Sequence, residues 1–298
     1  MTEPSTRSGF VALAGRPNAG KSTLVNAIVG EKVAIVSDKP QTTRRAIRGV
    51  AHGDGWQLVL VDLPGVQRPR DALTERMAGA VTRELADADA CLIVLNAQEG
   101  VGGPGDRFIA AALAGASVPV VLAVNKIDRL PRGQTAEALT AAAALRADAE
   151  VFPISARSGE GVGALVDHLV SLLAPGPFYF PAGQRSDQPE AVMLAELVRE
   201  QVLRRARQEV PHAVEVQVDE IDQREDGLTT IRAYLWVETE SQKGIVIGAG
   251  GQMIRAIGIA ARRELERRLG DRVHLDLSVR VRRKWRADEA LLDRLGID

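Results

Sequence analysis

The octapeptide GRPNAGKS at residues 15–22 limits the possible folds more than any other feature of the sequence. It fits the Walker A pattern, it follows the apolar run FVALAG, and it precedes the helical stretch TLVNAIVG. Gly15 and Gly20 allow the chain to wrap tightly and to aim backbone N–H groups at phosphate oxygens, and the following helix adds its positive N-terminal end. This order of strand, loop and helix predicts an α/β domain with a phosphate-binding loop.

A second motif, DLPG at 62–65, follows the apolar run QLVLV, which places Asp62 at the carboxyl end of a strand. A carboxylate there can hold Mg²⁺, often through water, together with the Ser22 hydroxyl. We expect Lys21 to contact the β- and γ-phosphates and Gly65 to offer its N–H group to the γ-phosphate. The two motifs therefore predict a site for a nucleoside triphosphate and Mg²⁺.

A third motif, NKID at 125–128, indicates which base is bound. The Asp128 carboxylate can accept two hydrogen bonds from guanine, whereas adenine has neither donor in that arrangement. SAR at 155–157 completes the base pocket, with the Ala156 N–H group facing guanine O6. The site is thus predicted to bind GTP and GDP. The predicted nucleotide-binding residues are Gly15, Arg16, Pro17, Asn18, Ala19, Gly20, Lys21, Ser22, Thr23, Asp62, Leu63, Pro64, Gly65, Asn125, Lys126, Asp128, Ser155 and Ala156.

Apolar runs alternate with helical stretches from Phe10 onward, and most of these runs are apolar on both faces. This pattern is typical of a parallel sheet covered by helices on both sides. The segment IRGVAHGDGWQLVLV differs, because its Gly-Asp-Gly predicts a hairpin and one antiparallel edge strand. We expect a P-loop GTPase domain with a mostly parallel six-stranded sheet at 9–174, after a disordered N-terminus at 1–8.

The chain has 298 residues, enough for two domains. Several prolines in residues 175–189 predict a linker, and residues 190–298 predict a smaller α+β domain with a basic C-terminal tail. The elements of this second domain are predicted in the order helix, strand, strand, helix, glycine loop, helix, strand. The loop Gly248-Ala249-Gly250-Gly251 in this order resembles the loop of a type II KH domain, which clamps about four nucleotides of a single strand.

Arginines are concentrated in the last hundred residues, although the formal net charge of the chain is −1. Such clusters can contact phosphates without reading sequence, and Trp285 among them could stack on a base. A solvated charged face is the alternative interpretation. The residues predicted to bind RNA are Lys243, Ile247, Gly248, Ala249, Gly250, Gly251, Arg255, Arg280, Arg282, Arg283, Lys284 and Trp285.

The three nucleotide motifs, in this order and spacing, resemble those of TRAFAC-class GTPases of the translation-factor-related kind. SDKPQTTRRAI at 37–47 is similar to the switch region of the Era family, in which a threonine closes over Mg²⁺ when GTP is bound. We choose Thr43 over Thr42 for this role. The resemblance implies the metal ligands Ser22, Thr43 and Asp62 and the catalytic residues Lys21, Thr43 and Gly65.

Two further positions bear on hydrolysis. Val66 follows DLPG where a Ras-like enzyme has a glutamine that orients water, so we expect slow intrinsic hydrolysis; Gln67 is displaced by one position. Asn18 matches an asparagine that helps to hold a potassium ion beside the phosphates in related GTPases. A small polar residue tolerated in the loop is the other interpretation of Asn18, and both stay open.

With its KH-like second domain, the chain resembles the Era family over nearly its whole length. The resemblance implies a factor that binds the 3′ end of small-subunit ribosomal RNA and assists maturation of the 30S subunit. The residues alone predict only a single-stranded nucleic acid, with RNA as the favoured kind. Two alternatives are a membrane-associated GTPase whose arginine-rich end contacts anionic lipid, and an RNA-binding protein that keeps its nucleotide without turnover.

The location of the protein is predicted from what the sequence lacks. The first eight residues have no apolar core of a signal peptide, and no apolar stretch approaches the ~18–20 residues that a membrane span requires. We expect a cytoplasmic monomer that associates weakly with the anionic surface of the inner membrane.

Overall fold

The structure is a computed structural model that describes residues 6–39, 41–65, 70–131, 133–206 and 210–297. The chain folds into two compact units. The first unit contains residues 1–34, 43–68 and 77–187, and the second contains residues 35–42, 69–76 and 188–298.

The first unit is built around one sheet. Its strands are β1 (Arg7–Ala14), β2 (Ile47–Gly53), β3 (Trp56–Asp62), β4 (Ala90–Asn96), β5 (Val120–Asn125) and β6 (Glu150–Ile154). Its helices are α1 (Lys21–Val29), α2 (Ala72–Asp87), α3 (Pro104–Ala112), α4 (Gln134–Ala143) and α5 (Val162–Leu172), and residues 72–76 of α2 are assigned to the second unit. The strand order is β2-β3-β1-β4-β5-β6, with only β2 antiparallel to its neighbour. The predicted six-stranded, mostly parallel sheet and its hairpin are confirmed.

The central strands are apolar throughout because helices cover both faces of the sheet. All seven residues of β4 are buried, and so are all six of β5. Parallel pairing aligns the carboxyl ends of the strands at one edge, with Leu13 opposite Asp62 and Asn96 opposite Asn125. The three sequence motifs follow β1, β3 and β5, so the fold brings all of them to this edge.

The proline-bearing stretch packs on the first unit, which extends to residue 187. Gln57 accepts hydrogen bonds from the N–H groups of Tyr179 and Phe180, at 2.8 and 3.0 Å. The Val50 N–H group donates to the Arg185 carbonyl at 2.8 Å, so this stretch also covers the edge strand β2. The structure therefore divides the chain differently from the predicted linker at 175–189. At the other end, β1 begins at Arg7, within the segment predicted to be disordered.

The second unit has a three-stranded sheet with helices. Its elements are α6 (Glu190–Arg205), α7 (Val210–Ala213), β7 (Glu215–Gln223), β8 (Leu228–Val237), α8 (Glu240–Ile247), α9 (Gln252–Leu269), β9 (Arg272–Val281) and α10 (Glu289–Arg294). A 3-10 turn at Ala249–Gly251 joins α8 to α9. The predicted order of elements is observed. The predicted basic tail is instead folded, because Asp288 caps α10 by accepting a hydrogen bond from the Leu291 N–H group.

The core of the second unit follows from the alternation of β8. Ile231, Ala233, Leu235 and Val237 are buried in one cluster with apolar residues of α6 and α9, whereas the residues between them are more exposed. A capping box begins α8, because Thr239 and Gln242 bond each other's backbone N–H groups. Among the described residues, no single helix is long and apolar enough to cross a membrane; the bent pair α8 and α9 passes that test jointly, by length and composition only.

Two short segments from early in the chain belong to the second unit. Ile35 is buried in its core, the Val36 N–H group donates to Glu200 at 3.0 Å, and Arg199 donates to the Thr42 carbonyl. In the other segment, 69–76, Asp71 pairs with Arg286 of the same unit at 2.7 Å. Each segment directly adjoins a loop of the predicted nucleotide site.

Candidate nucleotide site and RNA-binding groove

The phosphate-binding loop needs glycine at its end for a steric reason. Gly20 has φ +98° and precedes the first residue of α1. A Cβ atom at Gly20 would lie 2.3 Å from Asn125 Nδ2, which donates to the Ala19 carbonyl at 2.9 Å. The base-binding motif therefore packs directly against the phosphate-binding loop, and no larger side chain fits between them.

Lys21 lies inside the loop and is buried. Its Nζ donates to the Gly15 carbonyl at 3.2 Å. Burial lowers the pKa of the Lys21 ammonium, and the nearby Asp62 carboxylate opposes this effect. A bound phosphate would supply further negative charge next to this ammonium, so its position suits the predicted phosphate contact.

The three predicted metal ligands converge on one point. Ser22 Oγ donates to Asp62 Oδ2 at 2.5 Å, Thr43 Oγ1 donates to the same oxygen at 3.3 Å, and the two hydroxyls are 3.1 Å apart. Thr42 instead donates its hydroxyl to the Lys39 carbonyl. The structure thus brings Thr43, and not Thr42, to Ser22 and Asp62.

The chemistry of this oxygen cluster fits a hard divalent cation. Asp62 is fully buried, and none of the described residues donates a hydrogen bond to its Oδ1 atom. Burial raises the pKa of the Asp62 carboxyl, whereas Lys21 and the two hydroxyls lower it. A buried carboxylate oxygen without a partner is costly, and Mg²⁺ with its waters would satisfy it.

The base side of the site is organised by Asn125, which is buried. Its Oδ1 accepts hydrogen bonds from the N–H groups of Lys126 and Ala156, at 2.8 and 3.0 Å. The Ala156 N–H group is therefore already bonded to Asn125. To contact guanine O6 as predicted, it would have to donate to both acceptors. Asp128 lies in a 3-10 turn, with its carboxylate 3.9 Å from Arg129.

Several other predicted residues of the site also have described contacts. Lys126 Nζ donates to the Asn18 carbonyl at 2.8 Å, and Asn18 has φ +62°. Leu63 and Ser155 are buried, and a Cβ atom at Gly65 would lie 3.0 Å from Pro17 Cγ. Arg16 points away from the loop toward Asp106, an interaction that no sequence motif indicated. Val66 and Gln67 lie outside the described residues.

The second unit has a groove between β9 and α9, the helix that follows the glycine loop. The groove has a volume of about 470 Å³ and is lined by Ile254, Arg255, Gly258, Ile259, Arg262, Val273, His274, Leu275, Asp276 and Leu277. Sequence reasoning assigned Arg255 to the RNA site but omitted the groove side of β9. The spacing of Ile254, Gly258 and Arg262, four residues apart on one helix face, could have indicated it.

The loop itself has the predicted character. Gly248, Gly250 and Gly251 all have positive φ, and Gly251 precedes the first residue of α9. No heavy atom would lie within 4 Å of a Cβ atom at Gly250. The loop therefore presents open backbone at the N-terminal end of α9, where phosphates are favoured.

The predicted basic cluster contains one error. Trp285 is fully buried, and its Nε1 donates to the Ala213 carbonyl at 2.7 Å, so it has no free face for stacking on a base. Its indole instead packs inside the unit. The prediction was wrong because charged neighbours in the sequence do not indicate the direction in which an aromatic ring points. Arg282 is bonded to Asp288 at 2.7 Å, and the Arg280 guanidinium lies 3.4 Å from the centre of the Tyr234 ring. Arg283 and Lys284 are exposed.

Comparison with known proteins identifies the families that the two parts of the chain match. Residues 10–126 match the family model described as 50S ribosome-binding GTPase, and residues 209–286 match the KH domain model. GTPase Era of Mycolicibacterium smegmatis is 46% identical over 301 residues, covering 99% of this chain and 100% of that protein. GTPase Era of Mycobacterium tuberculosis is 47% identical over 302 residues, with the same coverage. The chain belongs to the Era family of GTPases.

Solved structures of Era proteins have the same fold. Era in complex with MgGDPNP and nucleotides 1506–1542 of 16S ribosomal RNA superposes with a TM-score of 0.94, at 33% identity, over 98% of this chain and 99% of that one. An Aquifex aeolicus Era variant bound to GDP and AlF4⁻ gives the same score, identity and coverage. As a member of the Era family, the chain is a nucleotide-binding enzyme that hydrolyses GTP, and its C-terminal unit contains an RNA-binding KH domain.

Proposed function

We propose that this GTPase binds the 3′ end of small-subunit ribosomal RNA and assists assembly of the 30S subunit. The observation that carries the proposal is the groove between α9 and β9, on the helix that follows the Gly248–Gly251 loop, in a chain that superposes almost completely on an Era protein bound to 16S ribosomal RNA. Single-stranded bases fit such a groove, while the open loop and the N-terminal end of α9 approach the phosphates.

Hydrolysis is assigned to the residues gathered at the carboxyl edge of the sheet. Lys21 would hold the γ-phosphate, and the Gly65 N–H group would stabilise charge that develops on it. Ser22, Thr43 and Asp62 would hold Mg²⁺, which neutralises phosphate charge when it is bound. Asp128 selects guanine, and Asn125 keeps the base-binding and phosphate-binding loops together through its bond to Ala19.

We propose that the protein is a molecular switch, in which the bound nucleotide controls RNA binding through two segments that the second unit takes from the N-terminal part of the chain. Residues 35–42 end next to Thr43, and residues 69–76 begin shortly after Gly65. A nucleotide that changes the conformation of Thr43 and Gly65 should therefore displace the two adjoining segments. One segment is bonded to Arg199 of α6 and the other to Arg286. We expect this connection, rather than residues 175–189, to link the nucleotide to the RNA groove.

The RNA target can be tested by crosslinking the purified chain to total cellular RNA with a GTP analogue or with GDP, followed by sequencing. We expect enrichment of the 3′ end of small-subunit ribosomal RNA. Gly250→Asp should remove most of this signal and Gly250→Asn should retain it, because both side chains tolerate φ +57° but only Asp adds a negative charge. Diffuse crosslinking that both variants share would contradict the proposal.

A potassium ion beside Asn18 is a further proposal, supported by the position of this residue in the phosphate-binding loop. An extra cation near the phosphates would stabilise developing negative charge. We expect single-turnover GTP hydrolysis to be at least about tenfold faster in potassium than in sodium at equal ionic strength, since one well-placed charge is worth about that much. Equal rates in the two salts would leave Asn18 as an ordinary loop residue.

The location of the protein is proposed from the charge of the second unit and from the RNA that it is proposed to bind. The arginine-rich second unit could contact the anionic inner membrane surface, and the cytoplasm is the compartment where its proposed RNA target would be found. We propose a cytoplasmic monomer with at most weak membrane association. Flotation with acidic vesicles in competition with RNA tests this, because binding to vesicles that RNA does not displace would indicate a separate membrane role.

A further inference from the structure

The side chain of Arg16 leaves the phosphate-binding loop and is held by a neighbouring segment. Its Nε donates to Asp106 Oδ1 at 2.7 Å, and its Nη2 donates to the Gly100 carbonyl at 3.1 Å. Its Nη1 lies 3.7 Å from Glu99 Oε2. Arg16 is therefore bound on each nitrogen by residues 99–106, which we call the brace.

Residues of the brace pack closely against the Arg16 side chain. Asp106 is 1% exposed, and its second oxygen accepts a hydrogen bond from the Gly102 N–H group at 3.1 Å. A Cβ atom at Gly105 would lie 2.7 Å from Arg16 Cδ, so the arginine side chain packs where only glycine leaves room. A buried carboxylate with both oxygens used is a specific partner, in contrast to a solvated surface pair.

The opposite side of the same loop is fixed by the base-binding motif. Lys126 Nζ donates to the Asn18 carbonyl at 2.8 Å, and Asn125 Nδ2 donates to the Ala19 carbonyl at 2.9 Å. Asn96 Nδ2 also donates to the Asn18 carbonyl, at 3.3 Å. Residues 16–19 thus have partners on more than one side, and the bond from Arg16 ties the loop to the buried Asp106. If that bond is lost, the contacts of Asn18 and Ala19 remain, but the start of the loop loses this buried partner.

We infer that Arg16 and Asp106 are a positioning pair that keeps the phosphate-binding loop in its nucleotide-holding shape and so sets how long GDP and GTP stay bound. Neither residue touches the reacting atoms. The hydrolysis step depends on Lys21, Thr43 and Gly65, whereas the lifetime of the complex depends on loop residues that must move apart before the phosphates can leave.

The test compares nucleotide release with hydrolysis. Release of a fluorescent GDP is measured by stopped flow, and hydrolysis by a single turnover of pre-bound GTP. We expect Asp106→Asn to speed release about tenfold, because an amide cannot accept hydrogen bonds from both Arg16 and Gly102, and a charged hydrogen bond is worth at least that factor. The single-turnover rate should change by less than about twofold.

Two variants separate positioning from general damage. Asp148→Asn breaks an arginine–aspartate pair of the same unit, in which Arg146 Nε lies 3.1 Å from an exposed carboxylate, and should leave release unchanged. Arg16→Gln/Asp106→Asn restores a neutral hydrogen-bonded match and should release GDP more slowly than Arg16→Gln alone. Unchanged release in Asp106→Asn would overturn the inference. So would a fall in hydrolysis rate and melting temperature that matches the change in release.

Discussion

At the scale of single residues, two glycines at the ends of α1 show how differently the same residue type can be used. Both have positive φ, +98° at Gly20 and +76° at Gly30. A side chain at Gly20 would collide with Asn125, whereas one at Gly30 would meet nothing within 4 Å. Gly20 therefore joins two binding motifs, and Gly30 only ends a helix.

Gly20→Ala should weaken GDP binding by about 10- to 100-fold, because it combines backbone strain of about 1–3 kcal/mol with a clash against Asn125. Gly30→Ala is the matched control. It should lower the stability of the first unit by about 1 kcal/mol and leave GDP affinity unchanged. Titration with fluorescent GDP and thermal unfolding measure the two effects, and similar affinities for both variants would contradict the packing argument.

At the scale of elements, α6 carries a buried arginine in addition to its apolar face. Arg199 is fully buried on this helix, bonded to Glu196 and to the Thr42 carbonyl and 3.6 Å from Glu215. Burial alone would lower the pKa of the Arg199 guanidinium, but Glu196 and Glu215 together raise it above its ordinary value. The charge is therefore kept inside the unit, and it binds the backbone of Thr42, the last residue of the segment 35–42.

Arg199→Met should destabilise the second unit by about 3–5 kcal/mol, since it leaves two buried carboxylates without their cation. Arg204→Met on the same helix removes a half-exposed partner of Glu200 and should cost less than about 1 kcal/mol. Urea unfolding followed by the fluorescence of Trp236 or Trp285 would report this unit. Equal decreases in the free energy of unfolding for the two variants would show that the buried cluster stabilises the unit no more than an exposed ion pair does.

The elements also show what a sequence can predict. The strands and both binding loops were predictable because their signals are local: apolar runs, glycines and motif spacing. The packing of residues 175–187 was not, because backbone groups such as the Val50 N–H and the Arg185 carbonyl make some of its bonds. Trp285 was misassigned for a related reason, since its indole N–H group bonds to the backbone carbonyl of Ala213, a residue distant in sequence.

At the scale of the whole molecule, the chain crosses between its two units several times. Residues 35–42 and 69–76 belong to the second unit, although the residues on either side of them belong to the first. Sequence boundaries drawn at a single linker could not show this, because Ile35 joins the second core through a contact with residues far along the chain. Binding at one site should therefore change the free energy of binding at the other.

We expect the dissociation constant of a single-stranded RNA to differ between the GTP-analogue and GDP states by about 5- to 150-fold, the usual range of coupling between sites. RNA must then change the ratio of GTP-analogue to GDP affinity by the same factor, because the coupling is reciprocal. Fluorescence titrations in both directions measure this. Equal RNA affinities in the two nucleotide states would contradict the switch mechanism and would indicate two independent binding sites.

The strand pairing at the edge of the first sheet has a consequence for handling the protein. β2 is an outermost strand, and Ser186 forms an antiparallel bridge to Gly49 beside the bond between Val50 and Arg185. An uncovered edge strand offers unpaired backbone groups to other chains and promotes self-association. A GTPase fragment cut at residue 174 would expose that edge and tend to aggregate. A fragment that ends beyond Asp187 would keep it covered and stay dispersed.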